Sequence, residues 1–446
     1  MTQGDAPKAG HAPAFGVSAG APGAERLPWL LLAPLTGFVL LLPFGRAAEA
    51  AVLASLLIAI TLAVRERTRW LPLVGPLLGF LLLLWCYVQP ALLSAIDSWD
   101  PAKSWQTALG ALRYAGLGAI AVLWYARAPR PERLTQAVGL LLAVWVTDAL
   151  VQATFGVGLR GDSAPDRLSG IFGADNLKLG PTLIALAPVA VAAAALHRRD
   201  HAILHRRTAA TLAALLLLLV VLLSGARAAW VSAAVLAAVG IHLLLGRRWR
   251  RTLPALSAAA LIGVGAILAL AQLSPVFAER LARTTTGFAL DRASIDYALA
   301  HRLPIFEAAL RMTTEHPVNG VGVRAFQEAY PEHTVPGDKW LLMGDGRGAA
   351  HAHHLVLEIA AETGVIGLIC WLLGLGLLWR YWHDADAEQR RRALPWLLGL
   401  LAMTFPLNTH LAFYSAYWSG LFFWLLALAS AALLVPVRDA GGDDGR

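Results

Sequence analysis

Charged residues are scarce in this chain: they make up only 15% of its 446 residues, whereas hydrophobic residues make up 57%. Soluble domains carry about 25% charged and about 45–50% apolar residues. A soluble fold of this composition would need one very large core, and single cores stop growing well before this length. The composition therefore disfavours a soluble protein and favours a membrane protein, because lipid then covers the apolar surface.

Cysteine is almost absent. The two cysteines, Cys86 and Cys370, both lie within apolar runs, where a thiol behaves as a small buried hydrophobe. So few cysteines in such positions exclude a disulfide framework and a cysteine-based metal cluster.

The N-terminal segment lacks the basic region and the cleavage motif of a removable signal peptide. Its first 27 residues are rich in glycine, alanine and proline and carry little charge. We expect residues 1–27 to form a disordered cytoplasmic tail, followed by a first membrane helix that is not cleaved.

Long apolar runs predict an all-α polytopic membrane protein. A helix needs roughly 20 mostly apolar residues to cross a bilayer, and about twelve such runs are present. The predicted spans are 28–43, 48–64, 71–89, 108–126, 137–155, 176–196, 208–224, 228–246, 253–273, 355–379, 394–409 and 418–435. The predicted divisions are the tail 1–27, spans one to nine in 28–273, a large loop 274–354, spans ten to twelve in 355–435, and a cytoplasmic C-terminal tail 436–446.

The net charge of +8 comes mainly from short arginine clusters between apolar runs. With the N-terminus inside, the inner loops hold 18 arginines, whereas the short outer loops hold 5 arginines and lysines. Cytoplasmic loops carry such an excess of positive charge. The pattern places both termini in the cytoplasm, and it explains the positive charge without nucleic-acid binding.

The segment 274–354 is too long and too polar to be a simple turn between spans. Loops of this length in compact proteins are usually functional or disordered. A helix is predicted from Pro304 to Glu315, because Pro stands in its first turn and apolar residues recur at helical spacing through Ile305, Ala308, Ala309 and Met312. The loop is therefore predicted to be a folded, partly helical cap on the outer face.

Three histidines, His351, His353 and His354, stand just before the tenth span. Imidazole is the side chain best suited to move protons near neutral pH. The structural alternative is that these rings bond to loop carbonyls at the interface. His351, His353 and Glu358 also offer metal ligands, but no HExxH motif is present, and we predict no metal and no cofactor.

Arg227 follows a tight outer turn between two apolar runs. An arginine there must pair with something, because an unpaired charge near the hydrocarbon is costly. A planar guanidinium is a good donor to a diphosphate, although an arginine at a helix end also reaches lipid phosphates.

Arg302, which follows His301, precedes the predicted Pro304 helix, and a helix N-terminus favours anions. The alternative for Arg302 is an ordinary solvated loop residue. Arg167 opens the outer segment before the sixth span and is a weaker candidate for the same anion site.

Four short blocks occur in order between residues 167 and 367. They are Arg167-Leu-Ser-Gly-Ile-Phe…Asn176; Ser224-Gly-Ala-Arg227; Arg302…Pro317-Val-Asn-Gly-Val-Gly322; and His353-His-Leu…Glu362-Thr-Gly-Val-Ile-Gly367. Together they resemble the motifs of the O-antigen ligase and polymerase superfamily, over less than half of the chain. One departure is His354, where that family usually has Asn, so either histidine could carry the role; by position we prefer His353.

The resemblance implies a GT-C-like, metal-independent, inverting glycosyltransferase of a bacterial inner membrane with a periplasmic active site. An O-antigen ligase transfers a polysaccharide from undecaprenyl diphosphate to a sugar hydroxyl of lipid A–core. In that scheme His353 is the catalytic base, and Arg227 and Arg302 bind the diphosphate. His301, His354 and Arg167 are further expected substrate contacts.

The ligase is preferred to two relatives, the O-antigen polymerase and the protein O-oligosaccharyltransferase. One large outer loop stands late in the chain, and no long C-terminal extension follows. A transporter or flippase is the alternative from a different class. It predicts charged groups buried at mid-membrane, for which Arg113 and Asp148 are the candidates. The expected partners are the lipid-linked glycan, lipid A–core and membrane lipids, with no nucleic acid.

Overall fold

Most of the residues that the structure describes lie in helices. The computed structural model describes residues 27–162, 167–174, 176–197, 203–273, 275–342, 346–408 and 412–437. Within these ranges the only strands are β1 (Val157–Gly158) and β2 (Gly161–Asp162), an antiparallel pair in which Val157 faces Asp162. The predicted tails 1–27 and 436–446 lie almost wholly outside the described residues.

The helices of the described residues follow in chain order. They are α1 (Leu27–Leu41), α2 (Ala48–Arg65), α3 (Arg67–Trp70), α4 (Val74–Ser94), α5 (Pro101–Gly110), α6 (Ala115–Arg127), α7 (Glu132–Phe155), α8 (Leu179–His197), α9 (Ile203–Leu223), α10 (Arg227–Leu244), α11 (Trp249–Leu273), α12 (Pro275–Thr285), α13 (Arg292–Ala298), α14 (Leu303–Glu315), α15 (Phe326–His333), α16 (Lys339–Leu342), α17 (Leu355–Asp384), α18 (Ala387–Thr404) and α19 (Ala416–Leu434). Short 3₁₀ turns lie at Leu42–Ala47, Leu71–Leu73, Ala111–Tyr114, Gly170–Phe172 and Thr286–Ala289.

Among the described residues, ten segments are long and apolar enough to cross a membrane. One of them, Leu27–Arg65, contains two predicted spans, because α1 and α2 are separated only by a short turn in which Gly45 has a φ of +66°. The predicted eleventh span corresponds to α18. This helix is not among the ten apolar segments, because its first turns carry charged residues. Each of the twelve predicted spans thus coincides with one helix, and the all-α multi-pass fold is confirmed.

The centre of the bundle is α19, whose residues from Trp418 to Leu433 are buried. Its Trp424 donates a hydrogen bond from Nε1 to the carbonyl of Leu35 at 3.0 Å and stacks on Phe38. At the periphery, α11 exposes its large apolar side chains, as a helix that faces lipid must. The core therefore joins α19 to helices from the first half of the chain, among them α1 and α6.

Helices α12–α16 lie on one side of the bundle, which we call the loop face. The predicted helix from Pro304 is α14, and its predicted apolar residues are the buried ones. They form a second, smaller core with Phe326 and Tyr330 of α15. This core fixes α14 above the start of α17, where the candidate site lies.

Candidate active site

Helix α17 is interrupted at Gly364, whose φ is +64° and ψ is −160°. An interrupted membrane helix needs other partners for its backbone groups. Here the segment 317–322 supplies them from the loop face. The N–H groups of Val321 and Gly322 donate to the carbonyls of Ala361 and Glu362 at 2.8 and 3.2 Å, and those of Val365 and Ile366 donate to the carbonyls of Pro317 and Val318 at 2.8 and 3.2 Å.

Two glycines of the sequence motifs make this junction possible. A Cβ on Gly364 would collide with the carbonyl of Val318, and a Cβ on Gly320 would collide with the backbone of Ala361 and Glu362. Both glycines also have positive φ, which side chains disfavour. These motif glycines therefore join the loop to α17, and they position the site without entering it.

Glu362, which stands in the fourth motif block, belongs to the same junction. It is fully buried, and its Oε2 accepts a hydrogen bond from the backbone N–H of Arg324 at 2.5 Å. One turn earlier, the buried Glu358 accepts from the N–H of Tyr414 at 3.3 Å. Both carboxyl groups accept hydrogen bonds from backbone N–H groups inside the protein. Their role in the fold is therefore structural.

The turn before α14 carries His301 and Arg302. Ala300 and His301 both have a φ of +60°, a costly conformation for residues with side chains. Asp296 holds the turn: one oxygen lies 2.9 Å from Nδ1 of His301, and the other accepts from the N–H of Leu303 at 3.0 Å. The His301 ring is thus bound to Asp296, and its predicted contact with substrate stays a prediction.

Arg302 lies in a cluster of guanidinium groups. Burial, together with the positive charges of Arg227 and Arg167, lowers the pKa of Arg302 to about 10. Three arginines that are distant in sequence are therefore neighbours in space. A bound anion would reduce the repulsion between these three positive charges.

Arg227 is held in place by the segment that precedes Arg302. Its Nη1 donates to the carbonyl of Ala298 at 2.5 Å and to Oγ1 of Thr284 at 3.2 Å. Arg280 and Arg283 of α12 add further positive charge around it. Residues three apart share one helix face, so the spacing of Arg280 and Arg283 alone indicates that both point the same way.

Arg167 reaches the cluster because α7 anchors its loop. Oε1 of Gln152 accepts from the N–H groups of Ser169 and Gly170 at 3.1 and 2.7 Å. Oδ1 of Asp148 accepts from the N–H of Leu159 at 2.6 Å. Sequence reasoning missed Gln152 as a positioning residue, because a lone glutamine in an apolar run gives no pattern.

The two adjacent histidines have different surroundings. His354 is the N-cap of α17, and its Nδ1 accepts from the N–H of Leu357 at 3.4 Å. Burial lowers the pKa of His354, which keeps its ring neutral. Asparagine is also a good N-cap, so the capping role accounts for the residue that the family usually has there.

His353, by contrast, lies in the middle of the site with a φ of +51°. Its ring centroid is 3.9 Å from that of His351 and 6.4 Å from that of Trp340. Nε1 of Trp340 donates to the carbonyl of His301 at 2.5 Å. One indole therefore connects His353 to the turn that carries Arg302.

His353 also lines a groove of about 520 Å³, which we call the Lys178 groove. Its lining residues are Ala174, Asn176, Leu177, Lys178, His351, His353, Ala412 and Trp418. Among the described residues, no group of three His, Cys, Asp or Glu side chains is arranged to hold a metal ion. His353 thus lines the groove, and Trp340 lies between its ring and the turn that carries Arg302.

Comparison of the chain with known protein families supports the resemblance that the motifs indicate. Residues 212–372 match the family model described as O-antigen ligase. The matched range includes Arg227, Arg302, His353 and Glu362, whereas Arg167 lies before it. No curated protein matches the chain.

Proposed function

The match of residues 212–372 supports assignment of the chain to the O-antigen ligase family, and from this premise we propose that it is an O-antigen ligase. This multi-pass membrane protein transfers a glycan from undecaprenyl diphosphate to a sugar hydroxyl of lipid A–core. The observation that carries the proposal is the clustering of Arg167, Arg227 and Arg302 beside a turn that Trp340 connects to His353.

The arginine cluster binds the diphosphate of the donor. Guanidinium groups match phosphate oxygens in a bidentate manner. As the bond from the anomeric carbon to the diphosphate breaks, its electron pair moves onto the diphosphate. Preorganised positive charge stabilises that developing charge, which is often the largest contribution to catalysis.

His353 is the general base. It removes the proton of the acceptor hydroxyl while that oxygen attacks the anomeric carbon from the face opposite the diphosphate. One C–O bond forms as another breaks, so the anomeric centre is inverted. His354 is a weaker candidate for this role, because its Nδ1 already accepts the capping hydrogen bond of α17.

The arginine distribution supports a periplasmic site. The predicted cytoplasmic loops hold the arginine-rich turns, and the loop face is the opposite side. With both termini in the cytoplasm of a bacterial cell, the loop face meets lipid-linked donors at the outer leaflet of the inner membrane.

A transporter receives no support from the two charges that suggested it. Arg113 forms a two-point ion pair with Glu49, with Nε 2.7 Å from Oε2. Asp148 holds the loop after α7. Both groups thus have partners within the fold that account for their charge.

The test is transfer by the purified protein with an undecaprenyl diphosphate-linked glycan and three alternative acceptors: lipid A–core, a second lipid-linked glycan and a peptide. A product on lipid A–core supports the ligase. Elongation of a second lipid-linked glycan would identify a polymerase instead, and a glycosylated peptide would identify a protein O-oligosaccharyltransferase.

The matched variants are His353→Ala and His383→Ala. His383 is exposed near the other end of α17. Loss of a general base costs about 10²–10⁴-fold in rate, so the first variant is expected to lose that factor and the second to keep its rate. Full activity of His353→Ala would refute the assignment of the base.

A further inference from the structure

Lys178, at the end of the turn before α8, is a positioned cation. Its Nζ lies 4.4 Å from the centre of the Tyr417 ring. That ring is fixed in turn, because the Tyr417 hydroxyl is 2.8 Å from Oγ1 of Thr182. The side chain is therefore held over an aromatic face at the edge of the groove.

Lys178 forms no ion pair with any carboxylate of the described residues. Lys103, on the same face of the protein, pairs with Glu328 at 3.4 Å. Burial lowers the pKa of Lys178 and is its only resolved cause, whereas the pKa of Arg302 is lowered by neighbouring arginines as well. Lys178 is thus a half-buried cation that the described carboxylates leave without an ion pair.

The rest of the groove suits a sugar ring. The half-buried His351 imidazole and an edge of the buried Trp418 line the groove, and a flat ring such as the imidazole suits the C–H face of a pyranose. The volume of about 520 Å³ falls within the range of about 300–1,000 Å³ that is usual for small-ligand sites. A cation beside such surfaces selects a sugar with an anionic substituent.

We propose that the Lys178 groove binds an anionic sugar of the acceptor glycan, with Lys178 contacting its phosphate or carboxylate and the His351 imidazole packing against its ring. The inference rests on the proposed function, because it uses His353 as the point where donor and acceptor meet. The arginine cluster takes the donor diphosphate, and the groove presents the acceptor hydroxyl to His353 from its other side. Lys178 is in this scheme a specificity-determining residue.

The test measures binding without transfer. The probe is the deacylated core oligosaccharide, titrated calorimetrically into the purified full-length protein without donor. The same glycan is also supplied dephosphorylated, carboxyl-reduced, or treated in both ways. Lys178→Gln is compared with Lys178→Arg and with the control Lys103→Gln, after thermal unfolding has confirmed that each is folded.

We expect Lys178→Gln to weaken binding of the charged glycan about tenfold or more, because a hydrogen bond between charged groups is lost. Lys178→Arg and Lys103→Gln are expected to stay within about threefold of wild type. The doubly treated, neutral glycan should bind all the variants alike. The treatment that abolishes the effect of Lys178→Gln identifies the anionic group.

A measurement on the wild-type protein covers the case in which Lys178→Gln does not fold. The proposal assigns the donor diphosphate and the anionic sugar to different cations, so saturating inorganic pyrophosphate should leave the affinity for the charged oligosaccharide unchanged. Equal affinity of the wild type for charged and neutral glycans would overturn the proposal. A Lys178→Gln variant that binds farnesyl diphosphate more weakly but keeps its glycan binding would also overturn it.

The two proposals fail in different ways. Normal transfer with no effect of Lys178→Gln on glycan binding overturns the acceptor groove alone. Glycan binding that depends on Lys178 in a protein without transfer activity overturns the ligase assignment alone.

Discussion

The backbone N–H of Arg324 donates to the buried carboxylate of Glu362 across 2.5 Å. Arg324 has a φ of +65°, so this bond secures a strained residue of the loop. It lies next to the junction between segment 317–322 and the interrupted α17. A residue that the sequence marks as a candidate for chemistry therefore holds the frame around the site.

Removal of the Glu362 side chain should destabilise the protein. Glu362→Ala leaves the Arg324 N–H without its acceptor, which costs about 1–3 kcal/mol for a buried group. Glu362→Gln keeps an oxygen acceptor and should stay closer to wild type. Thermal unfolding of the purified variants in detergent measures the difference. If Gln proves as harmful as Ala, the negative charge itself is required.

Gly364→Ala should be strongly destabilising, because the new Cβ would collide with the carbonyl of Val318 at a positive φ. The matched control is Gly376→Ala in the same helix, where a Cβ has open space. There the substitution removes the helix cost of glycine, about 1 kcal/mol, and should be neutral or stabilising. Equal unfolding temperatures of the two variants would contradict the described junction.

An anion that enters the arginine cluster should stabilise the folded protein. A ligand at 100 times its Kd adds about 2.7 kcal/mol when it binds only the folded state. Inorganic pyrophosphate is therefore expected to raise the unfolding temperature of the wild type, and less so that of Arg302→Gln. Arg292→Gln is the control, since Arg292 is exposed and paired with Glu307. An identical rise in all three proteins would show that pyrophosphate acts elsewhere.

His354 should make stability depend on pH. Because burial lowers its pKa in the folded state below the ordinary 6.5, the unfolded chain takes up a proton first as the pH falls. As the pH falls, stability decreases wherever the unfolded state binds more protons than the folded state. At pH values below about 6.5 the free energy of unfolding is thus expected to decrease.

The variant His354→Asn isolates this contribution. Asparagine keeps an N-cap acceptor and does not titrate, so its unfolding temperature should fall less between pH 7 and pH 5.5 than that of wild type. An unchanged pH dependence would show that other histidines account for the loss.

The sequence predicted those features that depend on local pattern. All twelve spans coincide with helices, because about 20 apolar residues in a row leave few alternatives. The apolar face of α14 followed from its 3.6-residue spacing. The nearness of Arg167, Arg227 and Arg302 was inferred from a family resemblance, since nothing in their spacing requires it.

The residues that escaped sequence analysis act through tertiary contacts. Lys178 stood inside the predicted sixth span, and only the fold shows that it borders the groove beside His353. Trp340 had no distinguishing pattern, yet its indole connects His301 with His353. Asp148 was read as a mid-membrane charge, although it holds the loop after α7. Each depends on a partner far away in sequence.

The interruption at Gly364 makes the loop and the membrane helix depend on each other structurally. Segment 317–322 supplies the backbone partners that α17 lacks, so the cap of one protein fits only a helix broken at the same point. A chimera that exchanges 274–354 alone would leave unsatisfied amides and carbonyls within the bilayer. Exchange of the cap between relatives therefore requires that α17 be transferred with it.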